Sequence, residues 1–276
     1  MTSLRRLLNL LRERLDGRRV HLMLSGGQDS AVAARVLRLA GLEVVAVHVT
    51  HRWTWPTPGL EARRVARRLG LRLRVIDVTD RLLERLPGAK GRSVCRICKH
   101  AMIEAVLEEL GPEVLATGEC GLDTIAGAVL DLARRTGEEP EFVQVPKRFF
   151  GGETLVVRPL IRLHERDVLR LAERLDVRVR RVGETGDLRR GRREGCPLQH
   201  LDPEVTVTEG LLEEVWRVNL AALRAARRLG RRVAVKWPSF RLLLPGSGEC
   251  ERRLVAERAW GEAVRSGSSA RLGKDT

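Results

Sequence analysis

The strongest constraint on the fold of this chain is the hexapeptide Ser-Gly-Gly-Gln-Asp-Ser at residues 25–30. It follows an apolar run at residues 20–24 and precedes a stretch of helical apolar periodicity at 31–39. This order predicts a strand, a glycine-rich loop and a helix. The glycines let backbone N–H groups approach an anion, the helix adds its positive dipole end, and Ser25 and Ser30 add hydroxyl donors. The hexapeptide therefore predicts a phosphate-binding loop, and its spacing and lack of lysine exclude the Walker A type.

Apolar runs alternate with helical patterns along the next part of the chain. Strands are predicted at residues 43–49, 71–78, 114–117 and 154–157, and helices at 60–69, 99–110 and 165–175. This alternation predicts an α/β fold with a doubly wound parallel sheet, in which ligands bind beyond the carboxyl ends of the strands. Ser25, His48 and Thr117 stand at such ends and are expected to lie at the same edge of the sheet.

The last part of the chain is predicted to form a small basic extension. Its patterns indicate a basic amphipathic helix at 211–229, a strand or hairpin at 231–240 and a frayed tail at 266–276. Residues 178–194 are rich in arginine and glycine, which predicts a loop that becomes ordered on binding. We expect a boundary near residues 201–205, dividing a domain at 1–200, which begins with an amphipathic helix, from the extension at 201–276.

The composition favours a polyanionic partner. The formal net charge is +15, and all but five of the 51 lysines and arginines are arginines. Arginine binds phosphate in a bidentate manner. A genomic preference for arginine explains its use in place of lysine but leaves the charge imbalance unexplained, so nucleic acid is the expected partner. Aromatic residues make up only 3% and tyrosine is absent, which argues against a broad base-stacking platform.

Membrane insertion and disulfide bonding are both disfavoured by the sequence. No apolar run reaches the roughly 18 residues of a membrane span, and the first helical pattern lacks the apolar core of a signal peptide. We therefore expect no membrane partner and a cytoplasmic location. An odd number of cysteines, five, is not typical of a disulfide framework in that compartment.

Three of the cysteines suggest a metal centre. Cys95 and Cys98 form a C-x-x-C pair ahead of the predicted helix at 99–110, and Cys196 precedes a proline in a cationic stretch. The helix start and nearby cations are expected to lower the thiol pKa values. Three thiolates suit an iron–sulfur cluster with one open iron. Structural zinc, with a fourth ligand from Cys120, His100 or His200, and a dithiol redox pair are the alternatives, and the spacing does not choose between zinc and cluster.

The motifs together resemble a known enzyme family. The pattern SGGxDS resembles the PP-loop of the ATP pyrophosphatases. The segment Cys-Arg-Ile-Cys-Lys at 95–99, followed by a helix and Leu-Ala-Thr-Gly-Glu at 115–119, looks like the core of PP-loop tRNA thiolases, which include 2-thiouridine, 2-thiocytidine and 4-thiouridine synthetases. Arg-Pro-Leu at 158–160 is similar to a further stretch of that family. The resemblance covers about residues 20–197 and leaves the target base open.

This resemblance implies a fold, a reaction and a set of partners. The fold is that of the adenine nucleotide α-hydrolases. ATP adenylates an oxygen of a tRNA base, pyrophosphate leaves on the loop, and sulfur from sulfide or a sulfur-carrier protein displaces AMP. In many members a [4Fe-4S] cluster binds to cysteines that correspond to Cys95, Cys98 and Cys196, which favours the cluster over zinc. Relatives also suggest a homodimer.

The resemblance also implies roles for single residues. The residues expected to bind the ATP phosphates are Ser25, Gly26, Gly27, Asp29 and Ser30, with Asp29 positioning Mg²⁺. Those expected near the adenosine and in the family's A-T-G motif are His48, Thr50 and Gly118; His48 is equally well explained as a packed strand residue. Asp123 is a candidate for metal binding or base deprotonation, or else begins a helix. Cys120 is a candidate fourth ligand or persulfide carrier, or else a small buried residue.

Two other functions remain compatible with the motifs. One is a PP-loop ligase or sulfur-insertion enzyme that acts on a small molecule and carries structural zinc at its cysteines. The other is a non-catalytic RNA-binding protein on a nucleotide-binding fold. Iron content, tRNA-dependent release of pyrophosphate and the thionucleosides of cellular tRNA separate these hypotheses.

Overall fold

The computed structural model describes most of the chain: residues 4–54, 56–121, 123, 125–144, 154–179, 196–227, 233–237, 241–243 and 249–265. Most of the arginine-rich loop expected at 178–194 and the tail expected at 266–276 lie outside these residues. The chain divides into two compact units. The first consists of Met1–Thr50, Pro58–Asp77 and Met102–Arg180, and the second of His51–Thr57, Val78–Ala101 and Arg181–Thr276. The second unit thus draws on two segments that precede the predicted boundary at 201–205, which stays a prediction.

The first unit contains a five-stranded parallel sheet, as the sequence predicts. The strands are β1 (Arg19–Met23), β2 (Glu43–Thr50), β3 (Arg72–Asp77), β4 (Val114–Ala116) and β5 (Leu155–Val157). Their order is β3-β2-β1-β4-β5. In the central strand, Leu22 pairs with Ala46 of β2 on one side and Ala116 of β4 on the other. The order of strands reverses between β1 and β4, so the carboxyl ends of these two strands form the edge where such sheets bind ligands.

Helices that precede, connect or follow these strands along the chain include α1 (Leu4–Leu15), α2 (Gln28–Leu39), α3 (Pro56–Arg68), α6 (Ala126–Thr136) and α7 (Glu165–Arg174). Helix α2 contributes Ala31, Ala33 and Ala34 to the core, all fully buried, together with Val36 and Leu37. Alanine pays no side-chain entropy and lets the helix lie close to the strands. The start of α2 is therefore held firmly beside the loop that precedes it.

The second unit is mainly helical. It contains α4 (Thr79–Arg85), α8 (Glu209–Arg227), α9 (Glu249–Arg265) and an antiparallel pair, β6 (Ala234–Lys236) and β7 (Arg241–Leu243). Helix α8 and the strand pair confirm the predicted helix and hairpin, whereas α4, α6 and α9 were not predicted. No helix within the described ranges has the length and apolar character needed to cross a membrane.

Helix α5 (Gly91–Leu110) begins eight residues earlier than the predicted start at Lys99. The N–H of Gly91 donates to the carbonyl oxygen of Val205 at 2.9 Å. A Cβ at Gly91 would lie 2.0 Å from the carbonyl oxygen of Asp202. This backbone contact over a long sequence separation sets the helix start, so Cys95 and Cys98 lie inside the helix rather than ahead of it.

Candidate active site

The hexapeptide at 25–30 lies at the predicted edge: it follows β1, and its last three residues form the start of α2. Gly27 is the N-cap of α2, with φ −92° and ψ 166°, and no side chain caps the first turn. Asp29 stands in that turn. A helix start without a side-chain cap, preceded by glycines, directs backbone N–H groups toward the loop and is suited to an anion.

The two serines of the loop have different environments. Ser30 is 4% exposed, and its hydroxyl donates to the carbonyl oxygen of Gly27 at 3.0 Å. The Oγ atoms of Ser25 and Ser30 lie 3.1 Å apart, while Ser25 itself is exposed. Because the Ser30 hydroxyl donates to Gly27, the Ser25 hydroxyl is the donor to Ser30; Ser30 thus holds the shape of the loop, and Ser25 lies at its surface.

Two glycines allow close backbone approaches that no other residue permits. Gly26 has φ +75°, and a Cβ there would lie 2.1 Å from the carbonyl oxygen of Pro58. A Cβ at Gly118, after β4, would lie 2.7 Å from both N and Cα of Ser30. The A-T-G segment is therefore pressed directly against the first turn of α2, which joins two sequence motifs into one site.

His48 and Thr50 lie on the second half of β2. His48 is 4% exposed, and its Nδ1 donates to the carbonyl oxygen of Leu24 at 2.9 Å. Desolvation lowers the pKa of His48; the Leu24 carbonyl opposes this effect, and Arg63 adds to it. A neutral imidazole therefore ties the end of β2 to the residue before the loop. The proposed proximity of His48 and Thr50 to adenosine stays a prediction.

A buried ion pair follows β4, and its pairing was not predicted from the sequence. Arg158 is 1% exposed, and its Nε donates to Glu119 Oε2 at 3.0 Å while Nη1 donates to the carbonyl oxygen of Val143 at 2.9 Å. The Thr117 hydroxyl donates to the same carboxylate at 3.1 Å. Both partners belong to segments that resemble the family, but nothing in either segment indicates that they pair.

Asp123 and Cys120 interact with each other through the backbone. The N–H of Cys120 donates to Asp123 Oδ2 at 2.7 Å, and the side chain of Asp123 is otherwise exposed. Cys120 is 6% exposed and its backbone extends the parallel pairing toward Leu160. Asp123 thus closes a turn next to Gly118. The catalytic roles considered for both residues stay predictions.

Gln28 connects the loop to a distant part of the first unit. Its Nε2 donates to the carbonyl oxygen of Val177, just after α7, at 3.0 Å. The side chain at the variable position of the SGGxDS pattern therefore fastens the loop to the chain that follows α7.

The three cysteines lie together in the second unit, where Cys95 and Cys98 influence the ionisation of Cys196. The prediction of lowered thiol pKa values is wrong. Desolvation raises the pKa of Cys95. It raises that of Cys98 to about 12, with a contribution from Cys95. Helix α5 begins one turn before Cys95, so desolvation outweighs the helix dipole, whose effect fades within the first turn.

Cys196 has an environment of its own at the start of a 3₁₀ helix (Pro197–His200). Desolvation raises the pKa of Cys196 to about 12; hydrogen bonds from the backbone of Leu198 and Gln199 act in the opposite direction, and Cys98 and Cys95 raise it further. Backbone donors to sulfur are typical around thiolate ligands. No three His, Cys, Asp or Glu side chains converge on a single-ion site in the part of the chain that the structure describes.

The predicted residues thus fall into two groups. The first unit holds the loop at 25–30, His48, Thr50, Gly118 and the turn of Cys120 and Asp123, whereas the second unit holds Cys95, Cys98 and Cys196. Each group assembles from separate parts of the sequence.

Comparisons with known proteins identify the family. The PP-loop domain family matches residues 1–181. An uncharacterised protein of Methanocaldococcus jannaschii is 34% identical over 234 residues, which span 80% of each chain.

Two solved structures show weaker similarity. NMN synthetase from Francisella tularensis has a TM-score of 0.44 and 19% identity, over 63% of this chain and 70% of its own. The U34-tRNA thiolase NcsA from Methanococcus maripaludis, with its [4Fe-4S] cluster, has a TM-score of 0.47 and 17% identity, over 99% and 82%. The match to residues 1–181, together with the loop between β1 and α2, establishes that the chain belongs to the PP-loop ATP pyrophosphatase family.

Proposed function

We propose that this protein is an ATP-dependent tRNA sulfurtransferase. The observation that carries the proposal is the grouping of Cys95, Cys98 and Cys196, residues up to 101 positions apart, in one unit of a PP-loop protein. A nucleotide-activating loop explains adenylation alone. Three thiols grouped so that Cys95 and Cys98 raise the pKa of Cys196 add a means of handling sulfur.

The first unit supplies the residues for activation. The uncapped start of α2 offers backbone N–H donors to the phosphates, and the hydroxyl of the exposed Ser25, which donates to Ser30, can turn toward them. Asp29 offers a carboxylate for Mg²⁺, a hard cation that prefers carboxylate and phosphate oxygens. Because Gly26 and Gly118 lock the loop in place, these donors need little rearrangement when charge develops at the α-phosphate.

The cysteines fit an iron–sulfur cluster by their chemistry. Three thiols with two backbone donors beside Cys196 are the donor set that such a cluster uses. Cys95, Cys98 and Cys196 would hold the cluster together, and ligands of a cluster with several irons would not need to converge as they do around one ion. Their raised pKa values mean that binding must be coupled to loss of three protons. When bound, the cluster supplies an open iron that can hold sulfide.

The proposed reaction has two balanced steps. An oxygen of a tRNA base attacks the α-phosphorus of ATP, which releases pyrophosphate and leaves the base adenylated. Sulfide then attacks the base carbon that bears the adenylated oxygen, and the bond between this carbon and oxygen breaks as AMP departs with the oxygen. No electron transfer is required, because sulfide is already reduced. The sulfur comes from sulfide or a sulfur-carrier protein.

RNA as the substrate is supported by charge. The net charge of +15 and the dominance of arginine suit a polyanion. Described basic residues on α8, such as Arg217 and Arg224, are exposed. A symmetric homodimer remains an expectation by analogy.

The first experiment measures iron and acid-labile sulfide in the full chain purified without oxygen. We expect about four irons for each chain, with the broad visible absorption of a [4Fe-4S] cluster. The variants Cys95→Ser, Cys98→Ser and Cys196→Ser should each lack this absorption. Cys250→Ser, which changes an exposed thiol on α9, should retain it. Colourless protein with stoichiometric zinc would contradict the cluster.

The second experiment separates tRNA from a small-molecule substrate. We expect pyrophosphate release from ATP to require added tRNA and to be lost in Asp29→Asn. Asp80→Asn, which removes the same charge from the first turn of α4, is the matched control. Mass spectrometry of nucleosides from a deletion strain then names the modified base. Full thionucleoside levels in that strain would sink the proposed function.

A further inference from the structure

A cavity of about 210 Å³ lies in the first unit, apart from the loop at 25–30. It is bounded by the middle of α2, the end of α3 and the residues after α7. Its lining residues are Arg35, Val65, Arg68, Leu69, Leu175, Asp176, Val177 and Arg178. Three arginines and one aspartate are its charged groups, so the lining carries a net positive charge.

Two of the arginines are held in place by the chain that follows α7. Arg68 donates from Nη1 to the carbonyl oxygen of Arg178 at 3.2 Å and from Nη2 to that of Asp176 at 3.1 Å. Arg178 Nε donates to Asp176 Oδ1 at 2.9 Å. Asp176 adopts φ +49°, which is uncommon for a residue other than glycine. The guanidinium groups are therefore positioned before any ligand arrives.

Arg35 differs from the other two. It is half-buried on α2, and no carboxylate partner for it is found within the described residues. Asp176, at 3.7 Å from Arg68 and 2.9 Å from Arg178, neutralises part of the charge of those two arginines instead. The positive charge of Arg35 is thus not offset by Asp176 and is available to an anion in the cavity.

The geometry points to this cavity as a binding site for a backbone phosphate of the RNA substrate. Its volume is below the roughly 300 Å³ at which pockets for whole drug-sized ligands begin, and suits a phosphate group with part of its sugar. The side chains of Arg68 and Arg178 are 43% and 83% exposed, so the cavity opens to solvent, where a strand can reach it. From Arg178 the sequence continues into the arginine-rich stretch that ends at Arg193. A polyanion is therefore favoured over an isolated ion.

The site also has a physical connection to the PP-loop. Val177, one of its lining residues, accepts the hydrogen bond from Gln28 of the loop. A phosphate bound in the cavity would contact the segment 176–178 and, through the hydrogen bond between Gln28 and Val177, support the position of the loop. This gives RNA binding a route by which to favour ATP cleavage.

The inference rests on the proposed function, and one binding experiment separates the two. Binding of the full chain to labelled tRNA is measured by fluorescence anisotropy at several salt concentrations, with Arg35→Gln as the test variant. Arg38→Gln is the matched control, because Arg38 lies one turn further along α2, is exposed and does not line the cavity. We expect Arg35→Gln to weaken binding by about tenfold and to reduce the salt slope by about one. Arg35→Lys should keep the salt slope.

The outcomes are distinct. If Arg35→Gln and Arg38→Gln weaken tRNA binding equally, the site is wrong while the proposed function stands. If the unmodified protein does not bind tRNA, this result contradicts the proposed function and, with it, the assignment of the cavity to RNA. The second arm measures binding of inorganic phosphate and pyrophosphate by calorimetry. Loss of that binding in Arg35→Gln, with tRNA binding like that of the control, would assign the cavity to a free anion and overturn the RNA assignment.

Discussion

Arg158 Nε and Glu119 Oε2 lie 3.0 Å apart, in an ion pair whose side chains are 1% and 15% exposed. This pair joins the end of β5 to the segment after β4, and Glu119 directly follows Gly118, the residue in close contact with Ser30. Because the Arg158 guanidinium is fully desolvated, the Glu119 carboxylate is needed to compensate its buried charge.

Glu119→Ala should therefore destabilise the fold strongly. We expect a loss of about 3 kcal/mol in the free energy of unfolding, because a buried guanidinium loses its counter-charge. Glu43→Ala is the control, since its partner Arg19 is 60% exposed and surface pairs contribute about 1 kcal/mol or less. Urea denaturation measures both. Equal losses in the two variants would show that the buried pair is not a major source of stability.

Gly118→Ala should impair nucleotide binding more than stability. The added Cβ would lie 2.7 Å from the backbone of Ser30 and force the A-T-G segment away from α2. We expect ATP affinity to fall by about tenfold or more. Gly127→Ala is the control, because it lies in the first turn of α6 with open space around the new Cβ. Its free energy of unfolding should be unchanged or raised by about 0.5–1 kcal/mol. Unchanged ATP affinity in Gly118→Ala would mean that this contact does not shape the site.

His48 should make the protein less stable in acid. Its pKa in the folded state is lowered from the ordinary 6.5, chiefly by desolvation. At pH values between the folded-state and unfolded-state pKa of His48, the unfolded chain binds more protons than the folded protein. The free energy of unfolding therefore falls as the pH drops below about 6.5. His21 and His200, whose pKa values desolvation also lowers, contribute to the same slope.

His48→Gln tests this dependence, because glutamine can still donate to the Leu24 carbonyl but does not titrate. Urea denaturation between about pH 5 and pH 8 should show a smaller slope than in the unmodified protein. A slope identical to that of the unmodified protein would assign the acid sensitivity to other groups.

The metal-free thiols of Cys98 and Cys196 should react slowly. With pKa values of about 12, they hold little thiolate near neutral pH. We expect alkylation by iodoacetamide at pH 8 to be slower than that of glutathione by roughly a hundredfold or more. Peptide mass spectrometry over time measures each site, and unfolding in urea is the control that should restore ordinary reactivity. Fast alkylation of either thiol in the folded, metal-free protein would contradict the raised pKa values.

Much of the fold could be predicted because its patterns are local. Apolar runs and helical periodicity predicted all five strands of the sheet and the helices α2, α3, α7 and α8 to within a few residues at most ends. Helix α6 was missed, since its start carries neither a side-chain cap nor an acidic first turn. The start of α5 was misplaced because a backbone contact between Gly91 and Asp202 sets it, and no local pattern records that contact.

The sequence by itself determined the type of site. The spacing of glycine and serine at 25–30 concerns only neighbouring residues. It therefore predicts an anion-binding turn whatever the tertiary structure around it. Only the tertiary structure decided the order of the strands, the pairing of Arg158 with Glu119 and the raised pKa values of the thiols. These depend on which residues exclude water from one another, and such neighbours lie about forty to one hundred positions apart in the chain. Desolvation is a property of the folded surroundings, so the C-x-x-C pair whose thiol pKa values were expected from the sequence to be lowered has raised pKa values in the fold.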